Sequence, residues 1–156
     1  MIAIRHAVEA DIPAVRERFR EYVKWLGIDL DFQGFEQELA SLPGDYVPPR
    51  GRLLVATDGD HVIGCIAVRH FGADDSGDCE MKRLYVVPAF RGQGIARRLA
   101  ERLIDEARGI GYQRMLLDTL QQMEAARALY AQLGFEEIAA YYHNPIPGAV
   151  YLAKTL

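Results

Sequence analysis

Residues 79–96, CEMKRLYVVPAFRGQGIA, set the tightest limit on what this chain can fold into. A run rich in β-formers ends at Pro88, and a bulky residue, an arginine and two glycines flanking Gln93 follow. From Gly94 to about Arg108, Ile95, Leu99, Leu103 and Ala107 recur on one face of a helix. GYQRMLLDTL (111–120) then reads as another strand. Strand, helix and strand in that order make a βαβ crossover, which forces a parallel pair into the sheet.

The rest of the chain reads as antiparallel material around that unit. IAIRHA (2–7) alternates like an edge strand. Asp11 stands where a helix is capped, and Pro13 is tolerable in a first turn whose N–H groups have no partner anyway. Val15, Phe19, Tyr22, Val23 and Leu26 form that helix's apolar stripe, and Gly27 ends it. Residues 32–42 read as a shorter helix with Phe35, Leu39 and Leu42 inward, and the proline-rich PGDYVPPRG (43–51) as a loop. RLLVAT (52–57), the turn DGDH and VIGCIAVRHF (62–71) make a hairpin, followed by the strand CEMKRLYVV (79–87). MEAARALYAQLG (123–134) is a helix, and FEEIAAYY and GAVYLAKTL are the last strands, joined by HNPIP. The expected fold is α/β: a mixed, mostly antiparallel central sheet of about seven strands flanked by about four helices, as one domain over residues 1–156.

With 156 residues, half of them hydrophobic, the chain has material for one sizeable core but not for two. The formal charge of −4 offers no general field for nucleic acid, so no nucleic-acid partner is expected. No run approaches the ~18 apolar residues of a membrane span, and MIAIRHAVEAD is too polar for a signal peptide. Cys65 and Cys79 lie far apart without a CxxC, the usage of buried thiols in a reducing compartment. Those features lead to the expectation of a cytoplasmic protein without a membrane partner, as a monomer or homodimer. His6, His61, His70 and His143 are scattered, so no metal site is expected, although His70 or His143 could line a pocket.

Gly92 and Gly94 sit where a strand turns into a helix. The unpaired N–H groups and the dipole of a helix start attract anions, and glycines let a phosphate approach the backbone. Arg91, Arg97 and Arg98 add positive charge, and residues 91–114 carry six arginines against three acids inside an acidic protein. A P-loop would need a lysine after Gly94, and none is present. A dinucleotide fingerprint would need a third glycine that GQGIAR lacks, although Asp118 ends the next strand at a suitable distance.

Together these segments resemble the GCN5-related N-acetyltransferase (GNAT) superfamily over the full chain in element order. Arg91, Gly94 and Ala96 match its acyl-CoA signature, and MKRLYVVPAF matches the usual lead-in. ALYAQLGF (128–135) resembles the C-terminal signature, in which a tyrosine precedes a Gly-Phe pair. The resemblance implies the acyl-CoA N-acyltransferase fold and direct transfer of an acetyl group from acetyl-CoA to a primary amine. It implies that the backbone of Leu84, Tyr85 and Val86 holds the pantetheine arm. The N–H groups of Gly92, Gln93, Gly94, Ile95 and Ala96 would hold the pyrophosphate, beside Arg91 and Arg97. Tyr130 would protonate the departing sulfur, and Glu80 is the candidate base. One departure is that the asparagine often found seven residues before the tyrosine is Met123. The alternative is a non-catalytic acyl-CoA-binding or sensing domain, disfavoured by the retained Tyr130 and Glu80 and by the absence of any attached regulatory segment.

Other readings of these residues stay open. Tyr130 also suits a core position, Cys79 suits packing, and Glu80 with Lys82 on one strand face suits a surface ion pair. Residues 9–45 hold nine acids against four bases, which fits a cationic acceptor or a solvated helix face. Trp25, Phe32, Phe35 and Tyr46 could shape a pocket or build the core. The stiff, aromatic YYHNPIPG (141–148) is a candidate acceptor-binding loop, or else stabilises the last hairpin or a dimer contact. The expected acceptor is a small-molecule amine or an amino-acid-like compound, with a peptide amine as the alternative.

Overall fold

The computed structural model describes the backbone of residues 1–156 and every side chain except that of Phe32, which therefore lies outside the described residues. Seven strands are joined by four helices: β1 (Ile2–His6), α1 (Ile12–Leu26), α2 (Phe35–Ser41), β2 (Arg52–Asp58), β3 (His61–His70), β4 (Asp78–Val86), α3 (Ile95–Ile110), β5 (Arg114–Leu120), α4 (Glu124–Gln132), β6 (Glu136–Ile138) and β7 (Ala149–Thr155). They form one sheet in the order β1-β2-β3-β4-β5-β7-β6, antiparallel throughout except for β4 and β5. That single parallel pair is the crossover expected from residues 79–120.

The central strands are buried on both faces, which is why RLLVAT and VIGCIAV read as nearly continuous apolar runs. On one face Leu99, Leu103 and Ala107 of α3 pack with Leu54, Ile66 and Val68. On the other, Val15 and Phe19 of α1 and Phe35 and Leu39 of α2 pack with Val55, Cys65 and Ala67. Among the described residues no helix is long and apolar enough to cross a membrane.

Three local readings change. The segment before α2 is a separate short turn, Asp31–Gln33. Asp11 does not cap α1 through its side chain; its carboxylate accepts the Val8 N–H at 2.7 Å and two bonds from Arg5, tying β1 to the helix entry. The expected strand FEEIAAYY is regular only over Glu136–Ile138, and residues 139–148 turn inward instead.

Two features of β4 open the site. Its pairing with β5 runs only from Asp78↔Arg114 to Glu80↔Leu116, so the strands part beyond that point. Its pairing with β3 slips: Cys65 faces Tyr85 but Ala67 faces Lys82, which leaves one extra residue on β4. That is a β-bulge, and Arg83 takes the left-handed backbone it needs, at φ 62°. A bulky residue held there stores roughly 1–3 kcal/mol of strain, the kind of cost found at functional sites.

Candidate active site

The parted strands frame a cleft of about 290 Å³ between α1, β4, the turn before α3, and α4. Leu84, Tyr85 and Val86 form one wall, and their backbone edge has lost β5 as a partner. At one end stands the glycine turn. Gly92 and Gly94 have φ of 80° and 77°, a backbone that L side chains rarely adopt, and a Cβ at either position would meet nothing within 4 Å. The side of this turn is therefore open, and its glycines serve backbone shape and approach rather than packing.

The N–H groups of residues 92–97 donate to no protein acceptor among the described residues; the first helical bond of this segment is Arg98 N–H to the Gly94 carbonyl, at 3.1 Å. Those donors and open glycines fit a pyrophosphate. Gly92, Gly94, Ile95 and Ala96 line the cleft, whereas Gln93 does not and Arg97 is turned to Glu101 and Gln132. Arg91 lines the cleft mouth but holds itself back. Its Nε donates to the Val86 carbonyl at 2.9 Å, and its guanidinium lies 4.6 Å from the Trp25 ring centre and 5.4 Å from that of Tyr85. This stack, read from no motif, ties α1 to the turn.

Tyr130 lines the cleft from α4, packed edge-on against Phe135 at 5.7 Å. Its hydroxyl has no described hydrogen-bond partner, and burial raises its pKa above the ordinary phenol value. Met123, in the place of the usual asparagine, lines the same cleft.

The far end is polar. Lys82 and Arg83 both reach Gln33 Oε1, at 3.0 and 2.9 Å, because the bulge turns consecutive side chains to one face. Arg83 grips Glu38 with two bonds, 2.9 and 3.0 Å. Glu80 is not half of a surface pair: its side chain is 1% exposed, Lys82's is 5%, and they lie 3.8 Å apart. Glu80 Oε1 accepts Arg69 Nη2 at 2.9 Å, Oε2 accepts the Tyr141 hydroxyl at 2.6 Å, and the residue does not line the cleft. Lys82 does line it, and burial, together with the neighbouring Arg83, lowers its pKa to about 8.

Asp118, at the end of β5, also lines the cleft and accepts hydrogen bonds from Tyr142 and, at 2.8 Å, from Asn144. The 141–148 segment thus plugs the back of the site with Tyr141, Tyr142 and Asn144. Asp118 and Lys82 were missed as site residues because only the parting of β4 from β5 brings them together. Phe35 and Tyr46 belong to the core, while Trp25 lies at the cleft mouth. His70 and His143 stand outside the cleft. Among the described residues no three His, Cys, Asp or Glu side chains are gathered to hold a metal.

Comparison with known proteins places this arrangement. The pattern that defines the acetyltransferase (GNAT) family matches residues 13–135. An uncharacterized N-acetyltransferase of Schizosaccharomyces pombe is 42% identical over 144 residues, covering 91% of this chain and 86% of that protein. A GNAT acetyltransferase from Staphylococcus aureus has the same fold at a TM-score of 0.81 and 18% identity, over 99% of each chain. A Salmonella typhimurium protein solved with its cofactor acetyl-CoA superposes at a TM-score of 0.72 with 25% identity, covering 99% of this chain and 94% of that one. The chain thus belongs to the acetyltransferase (GNAT) family, as an acetyl-CoA-dependent acetyltransferase.

Proposed function

We propose that this chain acetylates the primary amine of a small, amino-acid-like acceptor by direct transfer in a ternary complex. One observation carries the reading: a single cleft joins the open N–H groups of the glycine turn to Tyr130 and to a polar end formed by Lys82 and Asp118. Acetyl-CoA supplies the acetyl group as a thioester. The N–H groups of residues 92–96 hold its pyrophosphate, with Arg97 adding charge nearby. The edge of Leu84–Val86 freed from β5 aligns the pantetheine arm and offers an N–H near Val86 to the acetyl carbonyl. Holding both reactants in one cleft lowers the barrier without a covalent enzyme intermediate.

As the nitrogen of the neutral amine bonds to the carbonyl carbon, the C–S bond breaks, Tyr130 gives its proton to the leaving sulfur, and the proton released by the nitrogen passes through solvent to restore the Tyr130 hydroxyl. Burial keeps that hydroxyl protonated, the state an acid requires. Glu80, with Arg69 and Tyr141 on its oxygens, is read here as a positioning residue that orders Lys82 and Tyr141 behind the acceptor. Arg91 is read as the clasp of the cleft mouth. Two unpaired, buried thiols support a reducing, cytoplasmic setting.

The test is thiol release from acetyl-CoA with a panel of amines, wild type beside Tyr130→Phe. Amine-dependent turnover that falls about 10-fold or more in kcat, with acetyl-CoA affinity retained, supports both the transfer and its acid. Acetyl-CoA binding without turnover on any amine moves the assignment to a sensing domain.

A further inference from the structure

The charges at the polar end of the cleft do not all find partners among the described residues. Arg83 is satisfied by Glu38 with a bidentate pair, and Arg69 by Glu80. Among the described residues Lys82 has one hydrogen-bond acceptor, Gln33 Oε1 at 3.0 Å, whereas an ammonium carries three donors. Its nearest carboxylate oxygen, Glu80 Oε1 at 3.8 Å, already takes two bonds from Arg69. Burying a cation with donors to spare is costly unless an anion completes it.

The opposite group is incomplete in the opposite sense. Tyr142 and Asn144 both donate to Oδ2 of Asp118, and Oδ1 accepts no described hydrogen bond. The two residues are neighbours across the opening. Glu80↔Leu116 is the last parallel pair, and Lys82 and Asp118 stand two residues beyond it on their strands, hence on the same face. They line one cleft yet form no ion pair with each other. The charge of Asp118 also acts on the Tyr130 hydroxyl, so the anionic group of the pair lies within electrostatic reach of the proposed acid.

We propose that the acceptor is an amine that also bears a carboxylate, with Lys82 Nζ binding the carboxylate and Asp118 Oδ1 accepting an N–H of the amine. A ligand of both charges completes both groups at once, and its amine is held by Asp118, whose charge reaches the Tyr130 hydroxyl. An amine without a carboxylate would leave Lys82 as it stands. This inference rests on the acetyl-transfer reading above.

The test compares the common L-amino acids, β-alanine and γ-aminobutyrate, each beside its own carboxamide, in acetyl-CoA thiol release. Acetyl-CoA binding is measured separately by calorimetry. For at least one acid, kcat/KM should exceed that of its amide about 10-fold or more in wild type. In Lys82→Met that ratio should collapse toward one, chiefly through KM. Asp118→Asn should lower turnover of acid and amide alike. Amides used as well as acids, or Lys82→Met slowing both equally, would overturn the proposal without needing either variant to be perfectly folded, since the first comparison is made on wild type. Acetyl-CoA binding with no acid turned over would also overturn it, while leaving the cosubstrate site intact. Failure to bind acetyl-CoA would instead remove the transfer reading, and this inference with it.

Discussion

Lys82 shows how a single residue carries a consequence that its type alone does not imply. Burial holds its pKa at about 8 against an ordinary 10.5. Between those values the unfolded chain binds a proton that the folded chain lacks, so this residue makes stability rise with pH across that window. Below about pH 8 both states are protonated and the dependence ends. Urea melts of wild type and Lys82→Met at about pH 8 and about pH 10 should therefore show the difference shifting in favour of wild type at the higher pH. Its neighbour Arg83 predicts a different loss. Arg83→Ala keeps the positive φ and strips Glu38 of its cationic partner, leaving it the Tyr46 hydroxyl alone, and should cost about 3 kcal/mol in denaturant unfolding. Neither effect is legible in the letters KR, which read equally well as an exposed pair; the extra residue in β4 turns both inward.

At the scale of elements, the turn from β4 into α3 was readable because its chemistry is local. A positive φ at Gly92 and Gly94 and unpaired N–H groups follow from a strand meeting a helix through RGQG. Gly94→Ala should cost about 1–2 kcal/mol through the left-handed backbone alone, since no atom blocks its Cβ. A methyl group in the phosphate approach should also raise the KM for acetyl-CoA about 10-fold, the equivalent of roughly 1.4 kcal/mol, in initial-rate measurements. The end of the chain was not readable in the same way. FEEIAAYY has strand formers throughout, yet pairing with β7 stops at Ile138↔Tyr151. Tyr141 and Tyr142 instead donate to the carboxylates of Glu80 and Asp118, residues far away in sequence. A buried carboxylate needs donors more than an edge strand needs extra length, and that competition is invisible within the segment.

At the scale of the whole molecule, the cleft proposed for the cosubstrate lies between elements from both halves of the chain, so its occupation should stabilise the fold as a unit. At acetyl-CoA about 100 times its Kd, linkage adds about 2.7 kcal/mol, which should raise Tm by about 5–10 °C in a thermal melt. Gly92→Ala with Gly94→Ala should reduce that rise. Element order, the parallel crossover, the glycine turn and the position of Tyr130 on α4 follow from the letters alone, because each depends on local periodicity, backbone conformation or a motif of short span. Tertiary structure decided which charges face the cleft. The parting of β4 from β5 and the bulge at Arg83 set Lys82 beside Asp118 and leave both with unmet hydrogen bonds. Those pairings join residues 82 and 118 with Gln33 and Asn144, and the energy of burying unpaired charge depends on where the folded chain brings them together.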